Sequence, residues 1–232
     1  MAFPRHFPAF LAMLLAAGAA AAQAQEGEWI GYRDAYRAMV VFEKYGKPKN
    51  LLQNHLQVMP REKGASAEGL QLTLSGKTIQ LNLPLDATGR AVFPLLKAAY
   101  DENAALLLNR KAGLYAFRPR VSLALRADGV YEAPELRAGC EQALQYERDV
   151  DASLRTRKCV GVRFVFGRKG EPGVKLRRGE AEQQTLPAVE GAAFPGEPDE
   201  GFKTVGYRFA EGQDKGQVVT PNPPLAIAPL YD

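Results

Sequence analysis

The stretch LQLTLSGKTIQLNL, residues 70–83, decides the fold. Leu70, Leu72 and Leu74 alternate with Gln71 and Thr73, and after Ser75-Gly76 the alternation resumes at Ile79, Leu81 and Leu83. A period of two puts every second side chain on the same face of a strand, and a Ser-Gly turn between two such runs closes them into a hairpin. One face of such a ribbon meets a core while the other meets water, as an antiparallel sheet allows.

Neighbouring segments extend the pattern. Upstream, Leu56 and Val58 alternate as far as Met59-Pro60, where the missing N–H of Pro60 marks a strand end. A polar loop covers residues 61–69. Downstream, Asp86-Ala87-Thr88-Gly89 predicts a turn leading into Ala91, Phe93 and Pro94. Further strands are expected at residues 105–108, 114–117 and 121–125. The fold class is therefore mainly β and sandwich-like, with α+β as the alternative.

Two helices flank these strands. Tyr32, Tyr36, Met39, Val40 and Phe42 approximate helical spacing, Arg33, Arg37, Glu43 and Lys44 face mostly outward, Gly46 can supply a left-handed stop, and Pro48 prevents continuation. Pro134 opens a second helix, where a first-turn N–H would be unpaired anyway, and Leu136, Cys140, Ala143 and Leu144 form its inner stripe. After Cys159, Val160, Val162, Phe164 and Phe166 share one strand face, with glycine and Arg163 on the other, so a core is expected on one side only.

Residues 167–201 hold seven glycines and four prolines, the composition of a linker or long loop. Val205, Tyr207 and Phe209, then Val218 and Val219, suggest a last pair of strands, and the Pro-rich apolar tail from Pro221 to Asp232 is expected to be extended. The implied division is a signal segment at 1–24, a sandwich-like domain with two helices at 25–166, a linker at 167–201, and a C-terminal hairpin with tail at 202–232. No internal repeat is visible in the sequence.

Leu83-Pro84-Leu85-Asp86, Gly89 and Phe93 form a D-x-x-G-x-x-x-F pattern behind the strand opened by Ile79. Over residues 56–125 the chain thereby resembles transthyretin-like and carboxypeptidase-regulatory-like β-sandwich modules of exported bacterial proteins. The resemblance implies a small sandwich serving as a scaffold or adhesive module without catalysis of its own. The tethered helix and the long linker depart from that family.

The N-terminus specifies an address. Arg5 gives a positive start, Phe10, Leu11, Met13, Leu14 and Leu15 an apolar middle, and Ala22-Gln23-Ala24 a small-x-small end, the three parts of a secretory signal peptide cut after Ala24. An uncleaved anchor is the alternative, but the apolar part falls short of the roughly 20 residues that span a bilayer. Net charge is +4 and becomes +3 once Arg5 is removed, a mild balance unlike that of a nucleic-acid binder. Periplasmic or secreted localisation is expected, with no membrane span after cleavage.

The two cysteines, Cys140 and Cys159, invite pairing in an exported protein, as a staple between helix and strand; a free reactive pair is the other reading. With His6 gone, His55 is the mature chain's single histidine, so multi-histidine zinc sites are unavailable. A Ser-His-Asp triad would need His55 beside Ser66, Ser75, Ser122 or Ser153. Ser75-Gly76-Lys77-Thr78 imitates the end of a P-loop but lies in a hairpin turn. Asp149-Val150-Asp151 begins like a calcium loop, yet Leu154 stands where the glycine belongs and Val160 where the glutamate belongs. These patterns assign no catalytic residue, metal or cofactor.

One charge pattern stands out. Between residues 155 and 178 there are nine basic side chains against Glu171 alone, while residues 180–200 carry six acidic and no basic ones. Arg155, Arg157, Lys158, Arg168, Lys169, Lys175, Arg177 and Arg178 form a candidate anion-binding set for an anionic envelope polymer such as lipopolysaccharide. In the competing reading the acidic stretch folds back and screens them, or both are solvated. A non-enzymatic binding, scaffold or accessory protein of the cell envelope is expected, with another envelope protein as the second kind of partner. A secreted carboxylate-based hydrolase is the alternative, because the spacing of two carboxylates in space is invisible in sequence.

Overall fold

A computed structural model describes residues 29–62, 66–179, 182–210 and 215–232 of the chain. The expected signal peptide, and His6 within it, lie outside the described residues. The first half runs β1 (Trp29–Gly31), α1 (Tyr32–Lys44), β2 (Leu52–Pro60), β3 (Leu72–Ser75), β4 (Gln80–Leu83), β5 (Arg90–Ala91), α2 (Lys97–Asp101), β6 (Ala105–Leu108) and β7 (Tyr115–Leu123). The second half runs β8 (Val130–Glu132), α3 (Ala133–Val150), β9 (Cys159–Phe166), β10 (Lys175–Arg178), β11 (Glu182–Thr185), β12 (Ala188–Gly191), β13 (Phe202–Arg208), β14 (Gln217–Val219) and β15 (Ala226–Tyr231). Strand accounts for 38% and helix for 21%, so the mainly β class holds over the α+β alternative.

The quoted ribbon is β3 and β4, with Leu72 opposite Leu83 and Leu74 opposite Leu81. Its turn closes through the Gly76 N–H to the Ile79 carbonyl at 2.8 Å. Leu72 and Leu74 are fully buried, whereas Leu81 is 40% exposed because β4 is the sheet edge.

Although no repeat shows in the sequence, the topology is duplicated. One four-stranded sheet has the order β1-β6-β3-β4, and another has β8-β14-β10-β11. Each begins with a three-residue strand that runs directly into a helix. In each half the strand after that helix, β2 or β9, lies between two antiparallel partners: β5 and β7 in the first half, β13 and β15 in the second. The two triplets join through β7 and β15, Leu123 opposite Ile227, into one sheet ordered β12-β13-β9-β15-β7-β2-β5.

The inner face of this wide sheet packs on the helices. In the second half Leu136, Cys140 and Leu144 of α3 meet Val162, Phe164 and Phe166 of β9 in one apolar cluster, and Cys140 is bonded to Cys159. Phe42 of α1, Leu52 of β2, Val121 of β7 and Ala143 and Tyr146 of α3 form a further cluster that ties the halves together.

Several expectations need correction. Helix α1 ends at Lys44 as Tyr45 turns extended, and Gly46 does not take a positive φ; the chain leaves toward Pro48 without a left-handed stop. The two strands expected at 114–117 and 121–125 are one, β7, running through Pro119. Its pairing with β15 is registered only at Leu123, so the ring nitrogen of Pro119 interrupts no ladder on that side. Residues 167–201 are no linker: they carry β10, β11 and β12, with Leu176 and Phe194 buried. Their glycines, including Gly170, Gly173, Gly179 and Gly196 at positive φ, turn the chain between short strands, which gives turn-dense sheet the composition of a linker. The expected C-terminal hairpin does not form either, because β13 joins the wide sheet and β14 the small one. Finally, β9 is covered on both faces around Val165, which packs with Phe194 and Phe202.

Candidate functional site

Strand register places the polar residues of the wide sheet on its outer face. Gln53, His55 and Gln57 of β2 stand opposite Ser122, Arg120 and Arg118 of β7, and Gln57 also stands opposite Arg90 of β5. Across the junction, Arg163 of β9 lies between Ala228 of β15 and Gly206 of β13, while Gly161 lies between Leu230 and Arg208. The outer face is thus a row of arginines separated by Gly161, Gly206 and Ala228.

The loop between β12 and β13 covers the first-half end of this face. Glu197, 8% exposed, accepts from Arg118 at 2.8 Å and Arg120 at 2.7 Å. Gln57 accepts from Arg120 Nε at 2.8 Å and donates to the Thr88 carbonyl at 3.1 Å. The Phe194 ring lies 4.4 Å from the Arg120 guanidinium and 5.5 Å from that of Arg90. Burial raises the Glu197 carboxyl above its ordinary value despite the Arg120 charge, and burial lowers the Arg120 guanidinium against the pull of Glu197.

Arg90 anchors the same neighbourhood. It is 3% exposed and donates to Asp86 at 3.0 and 2.8 Å, to Thr88 Oγ1 at 3.0 Å, to Ser122 at 3.2 Å and to the Leu225 carbonyl. Asp86 also accepts from the Thr88 and Arg90 N–H groups, and Gly89, at φ +76°, lies where an added Cβ would fall 2.1 Å from the Val58 carbonyl. The Asp86-x-x-Gly89 turn therefore holds Arg90 in place, and glycine is required there by both backbone and space.

A cavity of about 480 Å³ opens where β7 and β15 part, and among its lining residues are Arg120, Arg157, Arg163, Arg208, Glu147 and Tyr231. Among the described residues, Arg157, Arg163 and Arg208 have no carboxylate partner; Arg163 donates only to the Ala192 carbonyl, at 3.4 Å. Partial burial lowers the half-buried Arg163 guanidinium below its ordinary value. Among the described residues Glu147 is the single carboxylate in the lining, raised above its ordinary value first by burial, with Tyr231 and Arg120 opposing. Burial and Glu147 raise the Tyr231 hydroxyl far above its ordinary value, so it stays protonated. A second groove, about 610 Å³ between α1 and β7, also carries one carboxylate, Asp34, beside Arg61 and Arg118.

The eight basic residues singled out in the sequence do not converge. Arg157 lines the cavity, while Lys175 and Arg177 line a separate one of about 340 Å³. Arg168 is held by Asp199 at 2.5 Å and lies over Phe202. Arg155, Lys158, Lys169 and Arg178 are exposed. The acidic stretch does fold back at Asp199, but Glu190 takes Lys203 and Glu197 takes Arg118 and Arg120 from outside the basic run. Arg163 lies within that run but outside the set of eight, and Arg120 and Arg208 lie far from it in sequence. The register that aligns them with Arg163 is long-range.

The remaining motifs are structural. His55 makes no hydrogen bond to Ser122, whose hydroxyl accepts from Gln53 and Arg90; its Nδ1 is buried without a partner, and burial and Arg90 hold the ring below its ordinary pKa. The Thr78 N–H and hydroxyl of the P-loop mimic both donate to Glu102. Asp151 accepts the Ser153 N–H, and Asp149 pairs with Lys47 at 2.7 Å. No group of three or more His, Cys, Asp or Glu side chains that would hold a metal exists among the described residues, and no described helix is long and apolar enough to cross a membrane. Compared with known proteins, the chain matches no family model, no curated protein and no solved structure.

Proposed function

We propose that this chain is an exported, non-enzymatic binding or accessory protein of the cell envelope, periplasmic or secreted, that contacts an anionic envelope component through the outer face of its wide sheet. Export is supported by the basic, apolar and small-residue sequence of residues 5–24 and by the Cys140–Cys159 bond, which belongs to an oxidising compartment. The observation that carries the binding role is the set Arg157, Arg163 and Arg208, brought to one cavity from a loop and two strands and left without carboxylate partners among the described residues. Uncompensated guanidiniums focused in a concavity attract anions.

The test is retention of the processed protein on a sulfonated cation-exchange matrix at neutral pH. The double variant Arg163→Gln/Arg208→Gln is expected to elute at clearly lower salt than Lys169→Gln/Arg178→Gln, which removes equal charge elsewhere. Equal elution of the two variants refutes the assigned face. Edman sequencing of the exported protein, with Gln25 first, tests the address.

A further inference from the structure

We infer that the cavity where β7 and β15 part is a binding site for a phosphate monoester, carried by a small molecule or by the head of a membrane lipid. This inference rests on the anion-binding reading above and specifies its chemistry. Ala228, whose side chain is a single methyl, stands beside Arg163 on the outer face and leaves room next to that guanidinium in the lining. Phe194 and Pro195 from the β12–β13 loop and Leu154 and Arg157 from the α3–β9 loop also line the cavity. At about 480 Å³ the space suits a small-molecule group rather than a macromolecular surface.

Charge selects the class of anion. Arg157, Arg163 and Arg208 are paired with no described carboxylate, while Arg120 is shared between Glu197 and Glu147, the carboxylate in the lining, so the cavity keeps a positive excess. A carboxylate or sulfate ester brings one negative charge. A phosphate monoester brings about 1.5 to 2 negative charges at neutral pH and three acceptor oxygens, which planar guanidinium forks meet two bonds at a time. Phe194, Pro195 and Leu154 offer apolar surface for the group that bears the phosphate.

Isothermal titration of the processed protein with phenyl phosphate, phenyl sulfate and benzoate tests the assignment. Phenyl phosphate is expected to bind at least about tenfold more tightly than the other two, since each lost charge-assisted contact weakens binding by roughly that factor. Arg163→Gln and Arg208→Gln are each expected to weaken phenyl phosphate about tenfold or more, while Arg178→Gln leaves it unchanged. Arg208 is exposed, so its variant keeps the test decisive if Arg163→Gln disturbs the sheet. Equal affinity for phenyl phosphate and phenyl sulfate, or unchanged binding in both arginine variants, overturns the inference. If the variants still lose cation-exchange retention in that case, the anion-binding reading survives without its phosphate specificity; if they do not, both fail. Sedimentation with phosphatidylcholine vesicles containing phosphatidic acid, competed by phenyl phosphate, assigns the phosphate to a lipid head; titration without sedimentation assigns it to a free small molecule.

Discussion

Arg90 shows how one side chain carries the architecture. A guanidinium 3% exposed is tolerated only because Asp86, Thr88, Ser122 and the Leu225 carbonyl take up its donors. Two of those partners lie in the turn before it, one lies on β7, and the last precedes β15 in the other half. Arg90→Met removes the charge that Asp86 and these oxygens are arranged around. Chemical denaturation is expected to show a loss of about 3 kcal/mol, the cost of breaking a buried ion pair from one side. A midpoint equal to wild type would show that the network is dispensable. From the sequence, the Asp86–Gly89 turn is legible because its residue types act locally, but nothing local marks Arg90. Its burial is decided by Leu225, which lies 135 residues away.

Elements with a clean local period were readable in advance. Helix α1, the β3–β4 ribbon, β6 and the inner stripe of α3 all follow from the spacing of apolar residues. Elements were misread where local composition and long-range pairing disagree. Strands β10 and β11 hold KLRR and EQQT, with little alternation to see, and are strands because β14 and each other complete their ladders. The strands expected at 114–117 and 121–125 are one, with Pro119 inside β7. The tether of α3 to β9 was legible because two cysteines leave one pairing. That bond closes a separation of 19 residues, for which the chain-entropy argument gives about 3 kcal/mol. The Cys140→Ala/Cys159→Ala variant is expected to lose stability of that order, measured as a fall in urea midpoint. If the midpoint does not move, packing of Leu136 and Leu144 on β9 suffices by itself.

For the whole molecule, the duplicated topology raises the question of whether the halves unfold separately. They share the wide sheet at β7 and β15, the cluster of Phe42, Leu52, Val121, Ala143 and Tyr146, and the Arg90–Leu225 contact. These links predict one cooperative transition. Trp29, the chain's single tryptophan, lies in β1, so its fluorescence reports the first half, while far-ultraviolet dichroism reports both. Coincident urea transitions are expected, and a fluorescence transition displaced from the dichroism one would show independent halves. Neither the duplication nor the arginine cavity was visible in the sequence. Both arise from register between distant strands, and equivalent strands such as LTLS in β3 and KLRR in β10 share no pattern.

The central place of β15 has a consequence for how the molecule is made. Strands β9 and β7 flank it, so until Ala226–Tyr231 has been synthesised β9 lacks one of its two neighbours and the second triplet has no link to β7. A growing polypeptide therefore carries its broadest layer in two pieces until that strand is made. The keystone is the last strand of that layer in chain order among the described residues, so the layer closes only when it is in place.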